Sequence, residues 1–164
     1  MPTPIVTAPR QDAALLAGII RKSHRSVAEK FNLTPENCPS HPSLCQADWV
    51  EQGMDRGEVY YLYQLKGEPV GCVAFAMPEK EQGIGFLNRL SVLPRHRRQG
   101  IGKDLATHVL DRAKQEGLSQ VTIGIIEPYT RLKDWYIKQG FILGEKKAFA
   151  HLPFEVRYLA YNLV

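Results

Sequence analysis

A basic stretch near the middle of the chain has the residue types needed to bind an anion. Residues 90–103 read Leu-Ser-Val-Leu-Pro-Arg-His-Arg-Arg-Gln-Gly-Ile-Gly-Lys. An apolar segment ends at Pro94, which has no N–H to donate to a strand partner, and Gly100 and Gly102 then lead into a helical pattern. Glycines let a ligand approach the backbone, and the amides and dipole of a helix N-terminus favour negative charge. The stretch predicts a pyrophosphate-binding loop.

Two common phosphate-binding motifs do not fit this loop. A P-loop needs glycine five residues before its Gly-Lys pair and Ser or Thr after it, but Arg97 and Asp104 occupy those positions. A dinucleotide fingerprint needs Gly or Ala three residues beyond its second glycine, where Leu105 stands. The loop therefore belongs to another class of phosphate site.

What the loop resembles is the acetyl-CoA loop of the GNAT-type N-acetyltransferases, through Val92-x-Pro94 followed by Arg97-x-x-Gly100-x-Gly102. The resemblance implies acetyl-CoA as cosubstrate and an α+β fold. In that fold a central mixed, mostly antiparallel sheet of six or seven strands is flanked by about four helices. The resemblance also implies a set of residues that contact the cofactor: Leu90, Val92, Arg97, Arg98, Gln99, Gly100, Ile101, Gly102, Lys103 and Tyr136.

A second motif, Trp135-Tyr136 followed by Gly140-Phe141, is similar to the family's usual end of helix four and start of strand six. By this resemblance, Tyr136 is the general acid that protonates the departing CoA thiolate. A phenol, with a reference pKa near 10, is protonated at pH 7 and suits that role. The alternative is that Trp135 and Tyr136 are only packing aromatics.

The general base is the weak point of the resemblance. Many family members carry a glutamate on the strand before the loop, and the matching position here is Asn88, which orients a water but does not accept its proton at neutral pH. Glu127 is a possible base because it follows a buried strand at the end where sheet ligands commonly bind. Three further substitutes remain open: Glu79, Glu81 and His151.

The pattern of elements suits one mixed sheet. The residue periodicity predicts a first helix to about Phe31 and a second from Ser43 to Gly57. It then predicts a three-stranded meander over residues 59–93, a helix after Gly102, a buried strand, a helix and final strands. We expect residues 31–57 to form a helical arm on the substrate side of the cleft.

Composition sets broad limits. The 164 residues suit a single domain, without a membrane span or a signal-peptide pattern, so a cytoplasmic location is the default expectation. The three cysteines are too few for a disulfide framework. Cys38, His41 and Cys45 have a spacing that suits zinc only loosely, and we expect no metal there, although the sequence leaves this open.

Three functions are compatible with parts of this sequence. The favoured one is transfer of an acetyl group from acetyl-CoA to a primary amine of a small molecule or peptide, by direct attack in a ternary complex. A non-catalytic acyl-CoA sensor is the alternative, because Asn88 replaces the expected base. Nucleic-acid binding by the basic loop leaves the glycine spacing and Tyr136 unexplained. The acceptor amine and the choice between monomer and homodimer stay open.

Overall fold

The computed structural model describes residues 4–164, with Glu79 described by its backbone alone. Its longer helices, apart from four short 3-10 turns, are α1 (Ala13–Lys30), α2 (Ala47–Asp55), α3 (Ile101–Gln115) and α4 (Thr130–Lys138). The strands are β1 (Ile5–Thr7), β2 (Val59–Leu65), β3 (Glu68–Glu79), β4 (Ile84–Val92), β5 (Gln120–Ile126), β6 (Ile142–Ala148) and β7 (Glu155–Asn162).

The strands form one sheet in the order β1-β2-β3-β4-β5-β7-β6. The β4–β5 pair is parallel and the other pairs are antiparallel. Helix α3 makes the crossover that a parallel pair requires. β7 lies between β5 and β6, so the C-terminal strand finds both of its partners within the chain. The predicted mixed, mostly antiparallel sheet with four flanking helices is confirmed.

The second helix begins later than the sequence pattern predicts. The side chain of His41 accepts a hydrogen bond from the Ser43 amide, and residues Pro42–Leu44 close a single 3-10 turn. Gln46 then has an extended backbone before α2 starts at Ala47. The prediction that Ser43 starts this helix was wrong, because the hydroxyl and amide of Ser43 are used in the turn.

Each face of the sheet has its own apolar core. On one face, α3 and α4 cover the side chains of Tyr61, Val73 and Phe75, and Leu105 of α3 is fully buried there. Burial of a leucine side chain of this kind contributes about 1.5 to 3 kcal/mol, which fixes α3 on the sheet. On the other face, α1 and α2 pack on the alternate residues of β2 and β3, which include Tyr60, Leu62, Cys72 and Ala74.

None of the helices within residues 4–164 combines the length with the apolar character that a membrane span requires.

Candidate active site

The sheet opens between its two central strands. β4 and β5 pair only at their beginnings, where residues Ile84 to Phe86 face Gln120 to Thr122. Both strands continue beyond this point, to Val92 and Ile126 respectively, without further pairing to each other. The result is a V-shaped gap at the carboxyl ends of the parallel strands, where ligands of such sheets commonly bind.

A β-bulge bends β4 at the opening. Asn88 pairs with Ala74 and Ser91 pairs with Cys72, so two residues of β4 stand opposite one residue of β3. Arg89, in the bulge, has a positive φ of 54°. Ser91 Oγ donates to the main-chain oxygen of Arg89 at 2.8 Å, which holds the bulge from inside the chain.

Helix α1 supports this bent strand from the other side. His24 Nε2 lies 3.1 Å from Ser91 Oγ, and the amide of Val92 donates to Ser23 Oγ at 3.1 Å. Burial is the main reason that the pKa of His24 falls to about 4, so the ring is neutral at pH 7. The amide of Val92, expected from the sequence to face the cofactor, already has a hydroxyl partner here.

The predicted anion loop and the beginning of α3 lie beside the gap. Gly100 precedes the helix with a φ of 81°, a left-handed conformation that suits glycine, and it offers no side chain to cap the helix. The first amides of α3 therefore have no side-chain cap from that position. The side chains of Arg98 and Lys103 are exposed, and no carboxylate of the described residues pairs with either one. This arrangement fits a pyrophosphate.

A second glycine brings α3 close to the sheet. A Cβ atom on Gly71 of β3 would lie 2.9 Å from the main-chain oxygen of Ser91 and 3.2 Å from Ile101. Only glycine allows the first turn of α3 to pack so tightly on β3. The sequence signal for this close approach was a glycine inside a strand pattern, and it was missed.

The arginine of the loop has a structural contact. The guanidinium of Arg97 donates to the main-chain oxygen of Ser23 at 2.5 Å and to Ser26 Oγ at 3.5 Å. These bonds tie the loop to α1 and occupy N–H donors that the sequence assigned to the cofactor. Arg98 and Lys103 are therefore the loop cations with the freest side chains.

Tyr136 is buried on α4, on the same face of the sheet as α3. Its ring packs edge-on against Trp135 at 4.9 Å and Phe141 at 5.3 Å between ring centroids. Trp135 also lies against the loop, since a Cβ on Gly102 would be 3.6 Å from its ring. Burial raises the pKa of the Tyr136 hydroxyl, so the phenol stays protonated and is a donor at physiological pH.

Glu127, at the end of β5, is held by two cations. Lys133 Nζ lies 2.8 Å from Oε1, and the Arg157 guanidinium reaches both carboxylate oxygens, at 2.7 and 3.2 Å. Hydrogen bonds from Arg157 and Lys133 lower the pKa of Glu127 to about 2. A carboxylate bound in this way is a poor proton acceptor near neutral pH, so the geometry argues against the expectation that Glu127 is the base.

Asn88 lies on the α1–α2 face of the sheet and has a carboxylate partner that the sequence did not suggest. Its amide donates to Glu58 Oε2 at 3.4 Å. Both residues line an open pocket of about 280 Å³ together with Arg56, Ala76, Met77, Pro78 and Phe86. Glu81 and His151, which were also considered as bases, are exposed and do not line this pocket. The side chain of Glu79 lies outside the described part of the structure.

The cysteines and histidines near α2 pack without a metal cluster. Cys38, Cys45 and His41 are buried, and His41 Nδ1 lies 2.7 Å from Ser43 Oγ. Among the side chains that the structure describes, no three of His, Cys, Asp or Glu come together in a group that could hold a metal ion.

Comparison with known proteins identifies the family. The family model described as "Acetyltransferase (GNAT) family" matches residues 25–141, which is most of the chain. The chain belongs to the GNAT family. The matched range includes both sequence motifs, the gap between β4 and β5, and all of α3 and α4. The family prediction made from the loop and from Tyr136 is confirmed.

The chain is also similar to individual members. N-acetyltransferase 8 of Mus musculus is 40% identical over 72 residues, a match that spans 42% of this chain and 31% of that protein. The structure of yncA from Salmonella typhimurium with its cofactor acetyl-CoA has a TM-score of 0.72 at 16% identity, and the match covers 100% and 95% of the two chains. PaiA N-acetyltransferase from Thermoplasma acidophilum, in complex with coenzyme A, has a TM-score of 0.73 at 14% identity, with 99% of each chain covered. The structural matches support the GNAT fold.

The structure brings together most, though not all, of the site residues expected for a GNAT protein. The loop residues, the first turn of α3 and Tyr136 all belong to one side of the gap. Leu90 and Val92 lie on the part of β4 that does not pair with β5 and that borders the gap. The residues missed were Glu58, Ser23, His24 and Gly71; apart from the glycine, none belongs to a local motif, so only the tertiary structure relates them to the site.

Proposed function

We propose that this protein transfers an acetyl group from acetyl-CoA to a primary amine. The observation that carries the proposal is the V-shaped gap between β4 and β5, with the uncapped start of α3 at one side and buried Tyr136 in the adjoining core. Such a gap accommodates an extended ligand whose phosphates bind helix amides. The thioester of acetyl-CoA would then lie in the gap itself, accessible from both faces of the sheet.

The residues around the gap have separable tasks in this proposal. The amides of the first turn of α3, with Arg98 and Lys103, hold the pyrophosphate, and Arg97 keeps the loop against α1. A main-chain N–H from the Leu90 to Leu93 stretch polarises the thioester carbonyl, as an oxyanion hole does. It is not the N–H of Val92 or Leu93, because these donate to Ser23 Oγ and to the main-chain oxygen of Val70. Tyr136 supplies a proton to the departing sulfur, and its burial keeps that proton in place until charge develops.

The acceptor reaches the carbonyl from the opposite face. α1 and α2 cover the β1–β4 half of that face and contact its core, while the pocket beside Asn88 stays open. We assign residues 31–57 to the wall of the acceptor site, as the sequence led us to expect. Direct attack by the amine in a ternary complex follows from a carbonyl accessible to both partners at once.

The direct test is release of free CoA thiol from acetyl-CoA, measured across a panel of small primary amines, amino acids and peptide N-termini. We expect turnover above the rate of spontaneous hydrolysis with at least one class of amine. Acetyl-CoA binding, measured separately by calorimetry, gives the comparison with a sensor. Tight binding without turnover on any amine would contradict the proposal and favour a non-catalytic acyl-CoA sensor.

A further inference from the structure

Glu58 is a carboxylate held back from solvent at the start of β2. Its amide donates to the main-chain oxygen of Gly53 at 2.9 Å, so the chain turns tightly out of α2 into the strand. A Cβ atom on Gly53 would lie 2.0 Å from Glu58 Oε1, so the carboxylate packs against the helix in space that a larger residue at this position would take. The side chain is 14% exposed, which is low for a glutamate.

The partners of this carboxylate leave it free to accept a proton. Asn88 donates one hydrogen bond at 3.4 Å, and the guanidinium of Arg56 is 3.9 Å away with most of its own side chain in solvent. The contrast is with Glu127, which has close bonds to two cations. Of these two carboxylates, Glu58 has lone pairs available for a ligand.

The position of Glu58 relates it to the gap. Asn88, its hydrogen-bond partner, lies two residues beyond Phe86, where β4 stops pairing with β5. The pocket that both residues line also has apolar walls formed by Met77, Pro78 and Phe86. A partly desolvated carboxylate in an apolar pocket binds a cationic amine and offers it a proton acceptor.

We infer that Glu58 binds the amino group of the acceptor and takes its first proton, with Asn88 as the residue that positions the carboxylate. This inference rests on the proposed acetyl transfer. Because the walls of the pocket are largely apolar, we expect the acceptor to be a primary amine attached to an apolar group. Neither residue belongs to the sequence motifs of the loop or of α4.

The proton balance is as follows. Glu58 removes one proton from the ammonium ion, and the free amine nitrogen then forms a bond to the thioester carbon. The C–S bond breaks, and the sulfur takes the proton of Tyr136. The tyrosinate recovers a proton from the new amide nitrogen, because burial makes its conjugate acid weak. The proton on Glu58 passes to solvent, so one proton is released for each acetyl group transferred.

The test is the Glu58→Gln variant, which keeps the shape of the side chain and an oxygen that accepts from Asn88. We expect kcat/KM for an active amine at pH 7 to fall at least about 100-fold, the lower end of the range typical of general-base contributions. The affinity for acetyl-CoA should change less than about threefold. Glu145→Gln, on the solvent-exposed strand β6 and away from both the gap and the pocket, is the matched control and should behave as wild type.

The readout that separates a proton acceptor from a structural residue is the dependence on amine pKa. With trifluoroethylamine, which is largely unprotonated at pH 7, the defect of Glu58→Gln should shrink towards the wild-type rate. The loss should also diminish as the assay pH rises towards the pKa of an ordinary acceptor amine. An equal defect for both amines at every pH would overturn the proposed role.

Two further outcomes keep this inference distinct from the proposed function. If wild type transfers acetyl groups and Glu58→Gln has the same rate and pH profile, the role of Glu58 is refuted while the acetyltransferase stands. If wild type acts on no amine, the proposed function fails first. Should Glu58→Gln not fold by circular dichroism, Asn88→Leu replaces it: a threefold to tenfold loss that trifluoroethylamine restores supports the inference, and no loss contradicts it.

Discussion

The two faces of the sheet build their parts of the site by different means. On the α3–α4 face, the proposed site consists mainly of backbone amides and one phenol, from residues 97–103 and Tyr136. On the α1–α2 face the proposed site consists of two side chains, Glu58 and Asn88, that are 30 positions apart in the chain. Backbone amides are positioned by a turn and its glycines, so a short sequence motif is enough to predict them. Two side chains from different strands are brought together by strand register, which a short motif does not reveal.

The largest expected effect tests the backbone-built face. Gly100→Asp should weaken acetyl-CoA binding at least about 100-fold, because it places a negative charge next to the amides that would hold the pyrophosphate. The fold should survive, since a Cβ at this position meets nothing within 4 Å and Asp tolerates a left-handed backbone better than most residues. Calorimetric titration with acetyl-CoA measures the effect.

Gly100→Asn is the matched control for charge. Asn has nearly the same size as Asp and the same tolerance of positive φ, so its loss of affinity should be several-fold at most. If Asp and Asn weaken binding equally, bulk and not charge is responsible. Unchanged affinity in Gly100→Asp would contradict the assignment of this loop to the phosphates.

An intermediate effect is expected from the phenol. Tyr136→Phe should lower kcat at least about tenfold, because the departing thiolate loses its proton donor, while the affinity for acetyl-CoA stays within about threefold. Tyr161→Phe removes a hydroxyl from the same aromatic cluster, where the ring packs on Phe141 at 5.4 Å, and should leave kcat near wild type. Steady-state kinetics with the best amine decides, and equal kcat for Tyr136→Phe and wild type would remove Tyr136 from the chemistry.

The smallest catalytic effect is expected at Glu127. Glu127→Gln should change kcat/KM less than about twofold, in contrast to Glu58→Gln, because its carboxylate is used in ion pairs. Its effect should be on stability. The folded-state pKa is lowered from 4.5 to about 2, so the carboxylate stabilises the fold above about pH 4.5 and loses this contribution as the pH falls towards 2.

Thermal melts of Glu127→Gln and wild type at several pH values check this. The variant should melt at a lower temperature at pH 7, and the two curves should converge as the pH approaches 2. Glu155→Gln, which breaks a solvent-exposed pair with Lys146, should have little effect at either pH. A large loss of turnover in Glu127→Gln would instead return this residue to the list of bases.

The features that could be predicted from the sequence also differ between the two faces of the sheet. Turn and helix signals around Pro94, Gly100 and Gly140 predicted the loop, the start of α3 and the end of α4, because these features are decided by neighbours in the chain. The strand order was beyond reach, since β7 enters between β5 and β6 from the end of the chain.

The features that the sequence did not reveal have the same origin. The ion pairs of Glu127 include Arg157 of β7, a strand that the sequence does not bring near. Glu58 followed a glycine in an ordinary turn, and only the pairing of β2, β3 and β4 places it beside Asn88. Ser43 resembled a helix cap in the sequence. Its hydrogen bond with His41 forms only within the 3-10 turn, which the sequence pattern did not reveal.

The gap between β4 and β5 also gives this sheet edges in its interior. The outer edges of the sheet are β1 and β6. Beyond the three residue pairs that join β4 to β5, these two strands also have edges that face each other across the gap. Exposed edges invite pairing with other chains, but here Ser23 of α1 occupies one amide of the β4 edge. A ligand with amide groups that entered the gap would complete the hydrogen bonding of a divided sheet, so that occupancy of the site would also strengthen the fold.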